Sequence, residues 1–373
     1  YILESVSSSK QDLIDKLSLT DEDIDGLISA TKVHQENYKK GLIGYCFLRF
    51  QKEEFNAKNF DKVLAYRDFE KELLNLFELS FGHRMPVELW RWKYQGLDVL
   101  GTLLKNKSVP VAFFGGMPRT VYFFGVAQLV VQIGDVMVDP RARRSLLRKG
   151  AFFQVASFFL ECFVGKDKKY SVAFGFPSEK SFRLAEHLGL YKRVGELKSV
   201  SWEPLNSLPK WHYKIREFDI NKAHLVDQLW GQMAEGLVDQ VVGVRDWAYV
   251  KYRYLEHPTI KYQLFLVLSR FNASPVGLLV IRVYDDEVEL IDLVASQRQV
   301  PVLIESFRRI AINSGKQKAF AWITAHHATL FAGESGVIDE TGIMIPCNSW
   351  TEGVTQDELI DRWWLMGGDS DFK

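Results

Sequence analysis

Residues 128–153 read QLVVQIGDVMVDPRARRSLLRKGAFF, and the fold turns on this stretch. An apolar run from Leu129 to Val138 ends at Asp139-Pro140. Five cations follow, Arg141, Arg143, Arg144, Arg148 and Lys149, and Gly150 then opens a second apolar segment. There Phe152, Val155, Phe159 and Phe163 recur at helical spacing. The layout is strand, turn, basic loop and helix N-terminus, which is that of an anion site. Free backbone N–H groups and the helix dipole favour a phosphate, and glycine lets the backbone come close. Such a charge run read alone is a solvated loop, so its surroundings decide.

Before the stretch, VLAYR (63–67) reads as a strand and DFEKELLNLFELSF (68–81) as a helix. Pro86 opens a second helix, VELWRWKYQG. Strand patterns follow at LGTLL (100–104), VPVAFFGG (109–116) and VYFFG (121–125). The turn GGMPR (115–119) between the last two projects Arg119. After the stretch come a strand, YSVAFGF (170–176), and a helix, SEKSFRLAEHLGL (178–190), closed by Gly189. The same order recurs from KIREF (214–218) to a last strand at GIMIP (342–346). Trp247, Lys251 and Tyr252 take the places of the Trp90–Tyr94 run. A repeat of about 150 residues is too long for a solenoid. It implies two like α/β (α+β) domains, 61–205 and 206–373. Residues 1–60 form an extension and linker, with a helix start at Thr20 and a strand over 42–50.

Composition narrows the function. Of 373 residues, 25% are charged and the formal net charge is zero, which argues against a general nucleic-acid binder. Cys46, Cys162 and Cys347 make neither a metal spacing nor a disulfide framework, as expected of a reducing cytoplasm. No apolar run reaches the ~18 residues of a membrane span. His326-His327 is no metal pair, because adjacent helical residues point apart. The chain begins at Tyr1 without Met, which suggests a piece of a longer protein, with a leader or a fused domain upstream.

With the element order in place, the chain resembles the GCN5-related N-acetyltransferase (GNAT) superfamily in a tandem two-domain arrangement. VMVDPRAR (136–143) is similar to the family's V-x-P-x-x-R, and FGFPSEKSFRLAEHLGLY (174–191) to its fifth strand and following helix. The resemblance implies two mixed, mostly antiparallel sheets flanked by helices. It also implies an acyl-CoA co-substrate, acetyl-CoA first, held by Val136, Val138, Arg143, Arg144, Arg148, Lys149, Gly150, Ala151 and Ser178, with no metal. The acceptor would be the amine of a small molecule, such as an amino sugar or an amino acid derivative. Asp135 on the fourth strand is the candidate base, its pKa raised if it is buried. The family's acidic Tyr falls at Ala185, leaving Tyr191 as the candidate acid beside Tyr94, Ser178 and His187. Trp90, Lys93, Tyr94 and Arg119 are candidates for the acceptor pocket. Arg119 would pair a carboxylate or phosphate on the acceptor. Residues 289–307 keep strand and helix without a basic glycine loop, so the second domain reads as degenerate. Asp369 and Asp371 are read as an amine-binding groove or a solvated C-terminal turn. Two rivals remain. One is a non-catalytic module that binds acyl-CoA or a partner within a larger enzyme. The other is an aminoacyl transferase that uses a charged tRNA.

Overall fold

The computed structural model describes residues 60–143, 150–205 and 212–373. The expected helix start at Thr20 and strand over 42–50 lie outside the described residues, as do Arg144, Arg148 and Lys149. The first half runs β1 (Asp61–Tyr66), α1 (Glu70–Phe81), α2 (Val87–Lys93), β2 (Val99–Asn106), β3 (Val109–Phe123), β4 (Val126–Val138), α3 (Ala151–Phe163), β5 (Ala173–Gly175), α4 (Glu179–His187) and β6 (Tyr191–Trp202). The second begins with β7 (Tyr213–Glu217), α5 (Ala223–Glu235), β8 (Val241–Gly243) and α6 (Trp247–Val250), which continues as a π-turn over Lys251–Leu255. It goes on through β9 (Gln263–Ser269), β10 (Pro275–Val283), β11 (Glu287–Val294), α7 (Val300–Asn313), β12 (Lys318–Thr324), α8 (Ala325–Ala332), β13 (Val337–Asn348), α9 (Gln356–Leu359) and β14 (Trp363–Trp364).

Each half builds one sheet around the same middle, and each sheet borrows strands from the other half. The first sheet runs β1-β2-β3-β4-β5, with β8 added to the far end of β3 and β14 added to β8. The second runs β13-β6-β12-β11-β10-β9-β7, so β6 leaves the first half to sit between β12 and β13. The exchange ties both halves into one compact unit, Asn56–Lys373. Each sheet has one matching parallel pair, β4 with β5 and β11 with β12, and these strands part before either helix that follows them; the added β8 and β14 also run parallel.

The helices bury the stripes that the sequence pattern set. Leu73, Leu76 and Phe77 of α1 face the core, and the helix stops at Gly82, whose φ of 76° needs glycine's freedom. Helix α3 buries Val155 and Phe159 of the expected stripe, with Ala151, Phe153, Ala156 and Leu160, while Phe152 and Phe163 are only half-buried. The expected GGMPR turn is instead the middle of one 15-residue strand, β3. Gly115 and Gly116 are there for close approach. A Cβ on Gly116 would meet the Phe159 ring at 2.5 Å, and one on Gly115 would strike the Tyr94 hydroxyl. Pro118 is tolerated because β3 is bare on one side there. Strand β2 pairs only as far as Gly115, and β8 begins pairing at Val121.

The C-terminal segment is also not as expected. Neither a last strand at GIMIP nor a solvated turn ends the chain. Trp363 to Ser370 are all buried, and the segment runs between the two sheets.

Candidate functional site

The site grows from an irregularity in β4. Gly115 of β3 pairs with Gly134 and Phe113 pairs with Met137, so Asp135 and Val136 together stand opposite Phe114. This β-bulge re-aims one side chain. Asp135 takes it up with a φ of 49°, in the left-handed region that costs an L-residue about 1–2 kcal/mol. Asparagine and aspartate tolerate that region best.

The bulge points Asp135 at the end of α2. Lys93 Nζ donates to Asp135 Oδ1 at 2.8 Å and to Asp371 Oδ2 at 2.9 Å, and the Tyr94 hydroxyl donates to Asp135 Oδ2 at 2.9 Å. The side chains of Lys93, Asp135 and Asp371 are 3%, 5% and 13% exposed, so two carboxylates share one ammonium in a dry site. Burial lifts the Asp135 carboxyl above the ordinary range. Lys93 opposes that lift and Asp371 adds to it. Burial also works against the Lys93 charge, but the two carboxylates outweigh it, and the ammonium is held above its usual range. The Tyr94 phenol is pushed well up by burial and by Asp135. It therefore stays protonated and holds the carboxylate, because a tyrosinate beside Asp135 would be a second buried anion.

Past the last β4–β5 pair, Ile133 with Gly175, the two strands diverge. From Gly134 to Val138, backbone pairing among the described residues is with β3 alone, so the bulge borders the cleft left where β4 and β5 part. At the far end of the cleft, Gly150 caps α3 with extended backbone, and Ala151 is the first helical residue. Arg143 is committed elsewhere. Its Nε donates to Val138 O at 2.9 Å and an Nη donates to Ser80 O at 2.8 Å, which ties the loop to the end of α1.

The remaining candidates separate. Val136 sits in the bulge and Val138 closes β4. Ser178 caps α4 and accepts from Ser181 N, an ordinary N-cap role. Tyr191 opens β6 in the other sheet, paired with Asn348, and takes no part in the hydrogen bonds around Asp135. Burial alone raises its pKa. His187 is exposed at the end of α4. Trp90 is buried against Tyr94 and Phe113, with ring centroids 4.6 and 6.0 Å away. Trp90 and Tyr94 also line a cavity of about 480 Å³ beside Arg67 and Arg91. Arg119 donates from Nε to Gln132 Oε1 at 2.8 Å and lines a second cavity of about 350 Å³, where β3 is bare.

A second constellation repeats the first. Asp292 stands on β11 as Asp135 stands on β4, beside a one-residue bulge between Val280 and Ile281 of β10 and Leu290 to Asp292 of β11. Arg245 Nε donates to Asp292 Oδ1 at 2.9 Å, an Arg245 Nη donates to Asp369 at 2.6 Å, and the Tyr254 hydroxyl donates to Asp292 Oδ2 at 2.6 Å. Tyr254 therefore matches Tyr94, which corrects the sequence pairing of Tyr94 with Tyr252. Tyr252 instead matches Trp92. The two rings stack at 4.8 Å, Trp92 Nε1 donates to Tyr252 O, and the Tyr252 hydroxyl donates to Trp92 O. Asp369 and Asp371 of the tail complete the two clusters. A lone Asp inside an apolar strand, at the same place in each repeat, was the available signal for Asp292.

No family model and no curated protein matches this chain at the sequence level. Solved structures do. One is a conserved protein of unknown function from Enterococcus faecalis, described as a probable N-acyltransferase. It is 13% identical, with a TM-score of 0.59 over 78% of this chain and 72% of that one. A GCN5-related N-acetyltransferase from Anabaena variabilis is 14% identical, with a TM-score of 0.58 over 78% and 73%. An N-myristoyltransferase from Saccharomyces cerevisiae, solved with bound myristoyl-CoA and inhibitors, is 10% identical, with a TM-score of 0.50 over 89% and 88%. With its repeated element order, the chain has the fold of the GCN5-related N-acetyltransferases in a tandem two-domain arrangement.

Proposed function

We propose that this protein is an acyl-CoA-dependent N-acyltransferase, with acetyl-CoA as first candidate donor and an amine of a small molecule as acceptor. The observation that carries the reading is Asp135. It is a buried, left-handed aspartate with a raised pKa, on a bulge that borders the cleft between β4 and β5. Strain of this kind concentrates at functional sites.

In this reading the thioester lies in that cleft. The pyrophosphate meets the N-terminus of α3 at Gly150 and Ala151, with Arg144, Arg148 and Lys149 as cationic partners. Asp135, positioned by Tyr94 and Lys93, takes the proton of the acceptor ammonium, directly or through a water. The neutral amine then attacks the thioester carbonyl, whose oxygen is held by backbone N–H groups of β4. The carbon–sulfur bond breaks, the thiolate leaves with the electron pair, and the proton shed by the attacking nitrogen goes to that thiolate.

One observation favours the non-catalytic alternative. Ala185 stands where the family carries its acidic Tyr, and it is fully buried in α4 with no proton to give. Two measurements separate the readings. Calorimetry with acetyl-CoA should show binding, and thiol release should appear across a panel of amines. No binding at millimolar acetyl-CoA ends both the enzyme and the acyl-CoA module. Binding without thiol release for any amine leaves the module.

A further inference from the structure

The cavity of about 350 Å³ over the bare stretch of β3 holds donors that no described residue satisfies. Arg119, Asp246, Tyr249, Tyr252 and Asp369 contribute to its wall. Arg119 is half-buried, and beyond the bond from Nε to Gln132 its guanidinium meets no acceptor among the described residues. The two carboxylates nearby are engaged elsewhere. Asp246 accepts from Tyr249 N at 2.8 Å, and Asp369 accepts from Arg245 at 2.6 Å and from Met366 N at 2.7 Å. The Tyr249 hydroxyl has no partner among the described residues, and burial pushes its pKa up to about 12, so it remains a donor. Gln132, fully buried, accepts from Arg119 but leaves its own Nε2 without an acceptor.

A half-buried guanidinium with no carboxylate partner keeps N–H donors for an anion. Its planar fork fits a carboxylate or a phosphate. We propose that this cavity binds an anionic group of the acceptor, a carboxylate or a phosphate, between Arg119 and Tyr249. That the anion belongs to the acceptor rests on the acyl-transfer reading above.

Register adds a length. Met117 pairs with Gln132 and Gly115 with Gly134, so Arg119, Met117 and Gly115 follow one face of β3 toward the bulge. From Gln132 to Asp135 is three residues of strand, about 10 Å at ~3.3 Å per residue. The anion and the reacting amine are therefore many bonds apart. An α-amino acid, with its two charges on neighbouring atoms of one carbon, is too short. An extended amine with a distal carboxylate or phosphate matches that separation.

Calorimetry on the full chain tests this with matched probes: 6-aminohexanoate, 6-aminohexyl phosphate, hexylamine and glycine. One of the two long anionic probes should bind about tenfold or more tightly than hexylamine and glycine, and which one does so identifies the anion. Arg119→Gln should erase that preference, and Arg119→Lys should keep part of it by retaining charge without the fork. Equal affinity for hexylamine, no binding of either long anion, or a preference that survives Arg119→Gln overturns the proposal. Glycine binding as tightly as the long probes overturns the spacing. Acetyl-CoA titrated into the same samples keeps the two readings apart. Acetyl-CoA binding without anion preference ends this inference alone. Anion preference without acetyl-CoA binding keeps the cavity and ends the acyl-transfer reading.

Discussion

The two halves carry the same parts around the same cleft and differ in what fills it. In each, an aspartate beside a bulge is held by a tyrosine hydroxyl and a buried cation: Asp135 with Tyr94 and Lys93, and Asp292 with Tyr254 and Arg245. In each, the C-terminal tail adds one carboxylate, Asp371 to the first and Asp369 to the second. Past the last β11–β12 pair, however, the tail lies in the second cleft. Thr324 N donates to Leu365 O, Ile323 bridges to Met366, and Gly367 and Gly368 pack on Glu289 and Ile291. Among the described residues, no such backbone strap runs along β4 in the first cleft. Backbone strain divides the same way: Asp135 is left-handed and Asp292 is not. The same arrangement is packed by the tail in one half and carries the backbone strain in the other.

The largest expected effect breaks the comparison at its two aspartates. Asp135→Asn should lower acyl-transfer kcat/KM of the folded enzyme by about 10²–10⁴-fold, and it should also cost stability, because Lys93 stays buried with one carboxylate fewer. Asp292→Asn should leave turnover of the surviving folded enzyme nearly intact but destabilise it by roughly 3 kcal/mol, because Arg245 stays buried with one partner fewer. Thiol-release kinetics and urea midpoints read the two variants. Equal activity loss in both would erase the functional asymmetry.

Next comes the strap. A Cβ on Gly368 would strike the Tyr254 hydroxyl and meet Ile291 at 3.2 Å. Gly368→Ala should cost about 1–3 kcal/mol of stability and loosen the tail from the second cleft, read by hydrogen exchange at Leu365 and Met366. Unchanged protection there would mean that the tail is not held by this packing.

The pH dependence sharpens the first site. A base must be unprotonated, so kcat/KM should fall as pH drops through the raised Asp135 pKa, above the ordinary carboxylate range. The stability sign is opposite. A carboxyl whose folded pKa is raised favours the fold at low pH and loses that contribution as pH rises from its unfolded to its folded value. A kcat/KM limb at the ordinary carboxylate pKa would speak against Asp135 as base. The smallest effect is at the axis between the halves, where Tyr252→Phe removes the bond to Trp92 O and should cost about 1 kcal/mol in a thermal melt.

Much of this site was legible from local pattern. The apolar run with one aspartate, the cations before Gly150 and the WRWKY helix marked Asp135, Lys93 and Tyr94, because strand alternation and helix spacing act over a few residues. Arg119 was singled out for a local reason that the fold does not support. Gly-Gly and Pro resemble a turn, yet here the glycines admit Tyr94 and Phe159, and Pro118 sits where β3 lacks a neighbour. Tyr191 was misplaced because nothing near it signals that β6 crosses to the other sheet. The tail was misread for the same reason. Its burial depends on partners such as Lys93, Arg245 and Arg253, more than a hundred residues away in the chain, which no periodicity in 362–373 reports.

The stoichiometry of acetyl-CoA binding by calorimetry tests the asymmetry most directly. One molecule per chain is predicted, lost when Gly150 and Ala151 are both replaced by bulky residues and kept in Gly368→Ala. Two molecules per chain would mean that the second cleft is not occupied by the tail, and none would mean that the first cleft is not an acyl-CoA site.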